Sequence, residues 1–328
     1  MTTMPVRSRW RPQERHIPVL ATLGLLALMY GLGSLRYIGF NDPQIILNVF
    51  IDNAFILVVA VGMTFVILTG GIDLSVGSVV ALTTMLTAVL LERAHWPVPL
   101  VILTGLLAGA ALGFGMGCII HFFEIQPFIV TLAGMFLARG ICYAISTSSI
   151  PINDPFWTYM GTSLKFGSLK VTWSVLISVA VVIIAALVLA FTKLGRDAYA
   201  VGGNPQSALL MGLPVGRTRI AVYTISGLCS ALGGVLFTFY LPSGNSLHAI
   251  GMELTVIAAV VIGGTLLTGG TGYVWGTMLG VLSLGLIQTI ITFEGTLSSW
   301  WTKMVIGILL FVFILLQRLI AARSPRPR

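Results

Sequence analysis

Charge is what this sequence has least of. Only 9% of its 328 residues are Asp, Glu, Lys or Arg, and only ten are acidic. A soluble domain carries about a quarter charged residues, so a surface this poor in charge excludes a protein dispersed in water. Cysteine is as scarce: Cys118, Cys142 and Cys229 stand isolated in apolar runs with no C-x-x-C, which argues against a disulfide framework or a thiolate metal site. The four histidines make no H-E-x-x-H pair, and no Gly-Lys dipeptide occurs. The second absence removes the phosphate-binding loop G-x-x-x-x-G-K-[ST], so any energy from ATP must come from a partner. No G-x-S-x-G frames a serine nucleophile. The chain reads as a non-enzyme without metal or cofactor.

Apolar sequence is what it has in abundance, at 57% of residues. Ten stretches approach the roughly 20 residues needed to cross a bilayer: 17–38, 44–68, 74–91, 98–120, 127–145, 171–191, 218–240, 253–268, 272–293 and 301–320. The expected fold is an all-α membrane protein of about ten transmembrane helices. It has a tail at 1–16, a polytopic domain at 17–320 and a second tail at 321–328. The stretch after the basic N-terminus is too long for a signal peptide and reads as an uncleaved first helix.

The net charge of +8 reads as orientation, not as nucleic-acid binding. With ten spans, one side holds Arg7, Arg9, Arg11, Arg15, Lys193, Arg196, Arg217, Arg219, Arg318, Arg323, Arg326 and Arg328. The other holds Arg36, Arg93, Lys165, Lys170 and Lys303. The richer side is expected to be cytoplasmic, with both termini on it.

Ionisable residues within apolar spans need a reason, because charge inside a bilayer is costly. Arg139 is the deepest and is expected to pair with a carboxylate or with exposed carbonyls. Asp73 and Ser75 follow Gly70-Gly71; they either cap the next helix or line a polar path. Asn53, Thr64 and Gln288 are further path candidates, or interhelical hydrogen bonds. Leu68–Ser78 (LTGGIDLSVGS) is echoed by Leu267–Thr277 (LTGGTGYVWGT). Glycine-interrupted segments in corresponding places can mark a substrate path in transporters. The loop 146–170 offers either a docking surface or a plain interfacial loop with Trp157 and Tyr159 as headgroup anchors.

Between two apolar spans lies TKLGRDAYAVGGNPQSALLMGLPVGRTR, Thr192–Arg219. Gly202-Gly203 is expected to break the chain, Asn204 to cap a short helix and Pro205 to occupy its first position. Gly212 and Pro214 end it. Ala208, Leu209 and Met211 would then offer an apolar surface, to a partner or to the chain's own spans. A helix this short is marginal alone.

This segment resembles the cytoplasmic loop of ribose-type sugar ABC importer permeases. Val61–Leu82 (VGMTFVILTGGIDLSVGSVVAL), Val130–Gly140 (VTLAGMFLARG) and Ala259–Gly272 (AVVIGGTLLTGGTG) are similar to that family too. Ser148–Trp157 and Phe293–Phe311 are most similar to permease subunits of galactofuranose importers. The resemblance covers nearly the whole chain. It implies the ribose/vitamin-B12-type permease architecture and import of a monosaccharide across the bacterial inner membrane. The implied partners are an ABC ATPase with two nucleotide-binding domains, a second, related permease subunit and a periplasmic sugar-binding protein, within the lipid bilayer. It also implies that the loop at about 192–217 couples to the ATPase through Gly195, Arg196, Gly202, Gly203, Asn204, Ala208, Leu209, Met211 and Gly212. The family's sugar contacts are not a motif that transfers onto this chain. The alternative is an ion-coupled secondary transporter of a small polar solute, with Asp52 or Asp73 as the coupling carboxylate.

Overall fold

A computed structural model describes residues 12–296 and 299–323. Arg7, Arg9, Arg11, Arg326 and Arg328, and with them most of both expected tails, lie outside those residues. The first half of the chain forms α1 (Pro12–Arg36), α2 (Pro43–Leu68), α3 (Val76–Glu92), α4 (Val98–Phe122) and α5 (Pro127–Ile145). A small layer follows, made of β1 (Ile150–Pro151), α6 (Pro155–Gly161), β2 (Ser163–Phe166) and β3 (Leu169–Thr172). The second half holds α7 (Trp173–Phe191), α8 (Lys193–Gly203), α9 (Pro205–Leu210), α10 (Val215–Tyr240), β4 (Ser243–Gly244), α11 (Met252–Ile262), α12 (Val274–Glu294) and α13 (Ser299–Arg323).

Local chemistry sets many of these boundaries. α2, α5, α6 and α9 each begin on proline, a first-turn position where the missing N–H has no helical partner to lose. Asp42 accepts from Gln44 N at 2.8 Å to cap α2, and Asp154 accepts from Phe156 N at 2.8 Å to cap α6. Among the described residues, seven helices are long and apolar enough to cross a membrane: α2, α4, α5, α7, α10, α12 and residues Val19–Arg36 of α1.

α10 sits at the centre, against α4, α2 and α3. Its contact with α4 follows a stripe of small residues. Gly109, Gly113 and Gly117 recur every fourth position and are buried against α10, while Gly105, one turn earlier, is buried against Thr83 of α3. A side chain at Gly113 would lie 2.2 Å from Tyr223 O, and one at Gly109 would lie 2.5 Å from Gly227 O. Backbones this close gain dispersion contacts where no hydrophobic drive exists between helices in lipid. The opposite flanks expose Leu103, Leu107, Phe114, Phe136 and Leu137, as a lipid-facing surface requires.

The eighth expected span, 253–268, is half a helix. α11 has 11 residues, roughly 16 Å at 1.5 Å per residue. Gly263 and Gly264 end it, and residues 263–273 turn back without helix. The approach to α11, residues 245–251, is also irregular. The apolar pattern that suggested a full span continues through Thr265–Leu267, where it packs as buried and half-buried loop.

The two ends of the bundle differ. One carries α8 and α9. The other carries the strands: β2 pairs with β3, and β1 pairs with β4, with Ile150 opposite Gly244. Trp157, expected at the lipid headgroups or on a docking surface, is 1% exposed within this layer. Its Nε1 donates to Thr238 Oγ1 at 2.8 Å. Tyr159 is exposed.

Candidate functional site

The α8–α9 arm is fixed by backbone contact. Thr192 Oγ1 accepts from Gly195 N at 3.3 Å and caps α8, which buries Gly195, Ala198 and Val201 at three-residue spacing. Arg196 sits on the same helix, exposed. α8 runs through Gly202 and Gly203, so the expected break falls one residue later, at Asn204, whose φ of −160° and ψ of 106° leave the helix. Gly202 serves a close approach instead. A side chain at Gly202 would lie 1.8 Å from Leu68 O and 2.4 Å from Gly270 N, the two atoms that hydrogen-bond each other at 2.9 Å.

The two LTGG turns therefore meet. Gly70, Gly269 and Gly270 have positive φ, which glycine adopts without the penalty a side chain brings. Gly70-Gly71 leads toward α3 and Gly269-Gly270 toward α12, and Gly202 seats α8 on both. Tyr199 Oη donates to Gly272 O at 2.7 Å and adds a side-chain tie at the same place.

Beyond Asn204 the arm matches its punctuation. Asn204 Oδ1 accepts from Ser207 N at 2.9 Å, and Gly212 ends the turn at φ +77°. Ala208 is buried and so does not belong to the free surface expected of it. Leu209, Leu210 and Met211 are 66%, 88% and 68% exposed. Leu210, which sequence reasoning passed over, presents the most surface.

A second group lies inside the bundle. Asp73 Oδ1 accepts from Ser75 N at 2.9 Å and from Ser75 Oγ at 2.6 Å. Its Oδ2 accepts from Ser226 Oγ on α10 at 2.7 Å. All three residues are buried. Asp73 thus takes the capping N–H, while the Ser75 hydroxyl turns toward Asp73 and makes no cap bond of its own. Ser226 carries no signal in the sequence that marks it. Asn53 Nδ2 donates to Val49 O at 2.8 Å, against Gly285 of α12. Thr64 Oγ1 donates to Ala60 O at 2.7 Å and lies 2.8 Å from Thr277 Oγ1, joining α2 to α12. Of the five path candidates, Gln288 alone is exposed, and it lines a cavity of about 570 Å³ with Phe55, Phe237, Thr255, Thr292 and Lys303.

That cavity borders the irregular approach to α11. Glu92, at the strand end of α3, accepts from Asn153 N at 2.6 Å. Gly77, fifteen residues earlier and roughly 22 Å deeper by helical rise, packs against Ala249 O and Glu253. Residues 249–253 therefore sit well inside the bundle. Arg139 Nη1 donates to Ser246 O and, at 2.8 Å, to His248 O. Among the described residues, carbonyls and not a carboxylate are the partners of this deep cation.

Comparison with known proteins agrees with this architecture. The chain is 46% identical over 307 residues to the inner membrane ABC transporter permease protein YjfF of Escherichia coli (strain K12), covering 93% of each chain. It is 39% identical over 315 residues to the fructose import permease protein FruG of Bifidobacterium longum, covering 93% of this chain and 92% of the other. It is 38% identical over 302 residues to the ribose import permease protein RbsC of Bacillus subtilis, covering 90% and 91%. No solved structure matches the chain. The family described as branched-chain amino acid transport system / permease component matches residues 45–314, and a half-broken helical bundle with glycine-seated turns is what this chain contributes to it: the protein belongs to that permease family.

Proposed function

We propose that this chain is the membrane-spanning permease subunit of an ATP-driven ABC importer and carries a monosaccharide across the bacterial inner membrane. The observation that carries the reading is the arm: an exposed Leu209–Leu210–Met211 surface on a helix pair seated by backbone contact on the turns that open α3 and α12. A cytoplasmic ATPase with two nucleotide-binding domains would take that surface in a groove. Closing on ATP, it would draw this arm toward that of a second permease subunit. The push would reach the two LTGG turns first and tilt α3 and α12 against α10, switching the bundle between outward-open and inward-open states.

The distribution of basic residues favours a cytoplasmic position for α8, α9 and both termini, so the strand end would receive sugar from a periplasmic binding protein. Gln288 faces a cavity at that end. Asn53, Thr64, Asp73 and Ser75 would come into the path as the bundle opens. Relatives named for fructose and ribose import support a monosaccharide. The similarity of Ser148–Trp157 and Phe293–Phe311 to galactofuranose permeases favours galactofuranose.

The test is uptake into proteoliposomes holding this chain with its ATPase, second permease and binding protein, comparing D-galactofuranose, D-ribose and D-fructose. The expected result is uptake that requires ATP and every component and is greatest for galactofuranose. Uptake of ribose or fructose instead keeps the importer and discards the sugar. Uptake by this chain alone, following a proton or sodium gradient, overturns the reading in favour of an ion-coupled carrier.

A further inference from the structure

We propose that the cavity beside α11 is a binding station for a neutral, hydroxyl-rich sugar, held by the Gln288 amide and the Thr255 and Thr292 hydroxyls against the Phe55–Phe237 ring pair. The proposal rests on the transport reading above and names a site within it.

The backbone makes the first argument. Residues 245–251 are irregular at a depth where lipid offers no hydrogen bonds, and such backbone persists only where protein covers it or water reaches it. Arg139 covers part of it, through the Ser246 and His248 carbonyls. Ala249, Ile250 and Gly251 instead border the cavity, with Ala249 at φ +57° and Gly251 at φ +80° turning the chain into α11. A water-filled space on this side accounts for a half helix where a full span would otherwise fit.

The lining makes the second. Phe55 and Phe237 meet edge to face at 4.8 Å between centroids, an apolar wall suited to the C–H face of a sugar ring. Gln288 can both donate and accept. Thr292 Oγ1 donates to Gln288 O at 2.9 Å and Thr255 Oγ1 to Gly251 O at 3.5 Å, so each hydroxyl oxygen keeps lone pairs for a solute's O–H. Among the described residues no carboxylate lines the space, and Lys303 is the one charged residue in its lining. That chemistry selects against cations. At about 570 Å³ it lies within the roughly 300–1,000 Å³ of small-molecule sites. The cavity between α4 and α5, about 470 Å³, is lined by apolar side chains and glycine alone and offers a sugar nothing. Beside Lys303 the neutral polar lining is Thr255, Gln288, Thr292 and Thr302, few enough to suit a solute that must leave again.

The experiment uses the full assembly in proteoliposomes with Thr292→Cys in this chain, and wild type as the control for reaction at Cys118. A membrane-impermeant methanethiosulfonate is added on the binding-protein side, with and without D-galactofuranose, D-ribose or D-fructose at saturating concentration. The T292C thiol is expected to react, and at least one sugar should slow its labelling fivefold or more. Gln288→Leu is expected to raise KM for that sugar more than it lowers kcat. A T292C thiol that is unreactive, or that reacts at one rate whatever the sugar, overturns the site. So does an unchanged KM in Q288L. Uptake in the same vesicles separates the two levels. ATP-dependent uptake without protection removes the station and leaves the importer. Protection with gradient-driven uptake leaves the station and removes the importer.

Discussion

Gly202 and Gly203 are neighbours in sequence with opposite surroundings. A methyl group at Gly202 would drive into Leu68 O at 1.8 Å, while one at Gly203 would meet nothing within 4 Å. The obstacle at Gly202 is backbone on both sides, which cannot swing away as a flexible side chain can. Gly202→Ala is expected to cost about 1–3 kcal/mol, the usual range for overpacking, and to lower the melting temperature of the purified subunit while depressing ATP-driven uptake. Gly203→Ala should stay within about 0.5 kcal/mol of wild type. Equal effects in a thermal-shift series would show that α8 is not seated as described. In the sequence the two glycines look alike, as punctuation. What distinguishes them is Leu68, some 130 positions earlier, and local pattern carries no trace of it. Arg139 is the converse case. Its depth in an apolar helix demanded a partner, and carbonyls were one of the two expected kinds. Which carbonyls, those of Ser246 and His248, depended on a loop whose descent into the bundle no local pattern shows.

At the scale of elements, α9 was the most legible feature and α11 the least. Asn204, Pro205 and Gly212 write the start and stop of α9 in local chemistry, and the structure places a capping bond and a positive φ at those positions. Which residues of that helix face outward was harder to read. Ala208 turns inward and Leu210 is nearly bare, because one turn on a short helix cannot fix its rotation against the bundle. Leu210→Asp adds charge to the exposed side without touching the packing. It is expected to leave the subunit's melting temperature unchanged and to cut uptake at least tenfold while the ATPase continues to hydrolyse ATP. Normal uptake in this variant would mean that nothing docks there. α11 misled because an apolar run is compatible with a helix and with a packed turn alike. Gly263 stops the helix where a side chain would strike Gly276 O at 2.3 Å.

The whole molecule has two unlike ends, and charge is the argument for the orientation proposed above. On the proposed orientation the α8–α9 arm and the strand layer face opposite sides, so cysteines introduced at Gln206 and at Tyr159, both exposed, should report opposite sides of the membrane. In intact cells an impermeant thiol reagent is expected to label Y159C and to spare Q206C until the membrane is opened. The reverse pattern would invert the importer. Sequence alone determined the solvent this protein lives in, where its apolar runs fall and the start and stop of α9, because charge scarcity, apolar run length and helix caps are local properties of a chain. The tertiary structure decided what those elements do together. It brought the two LTGG turns onto each other and onto Gly202, enclosed Asp73 with Ser226, and broke the eighth span beside a cavity that Gln288 lines. Each of these depends on backbones from distant parts of the chain approaching within a few ångströms, and sequence spacing does not encode such distances.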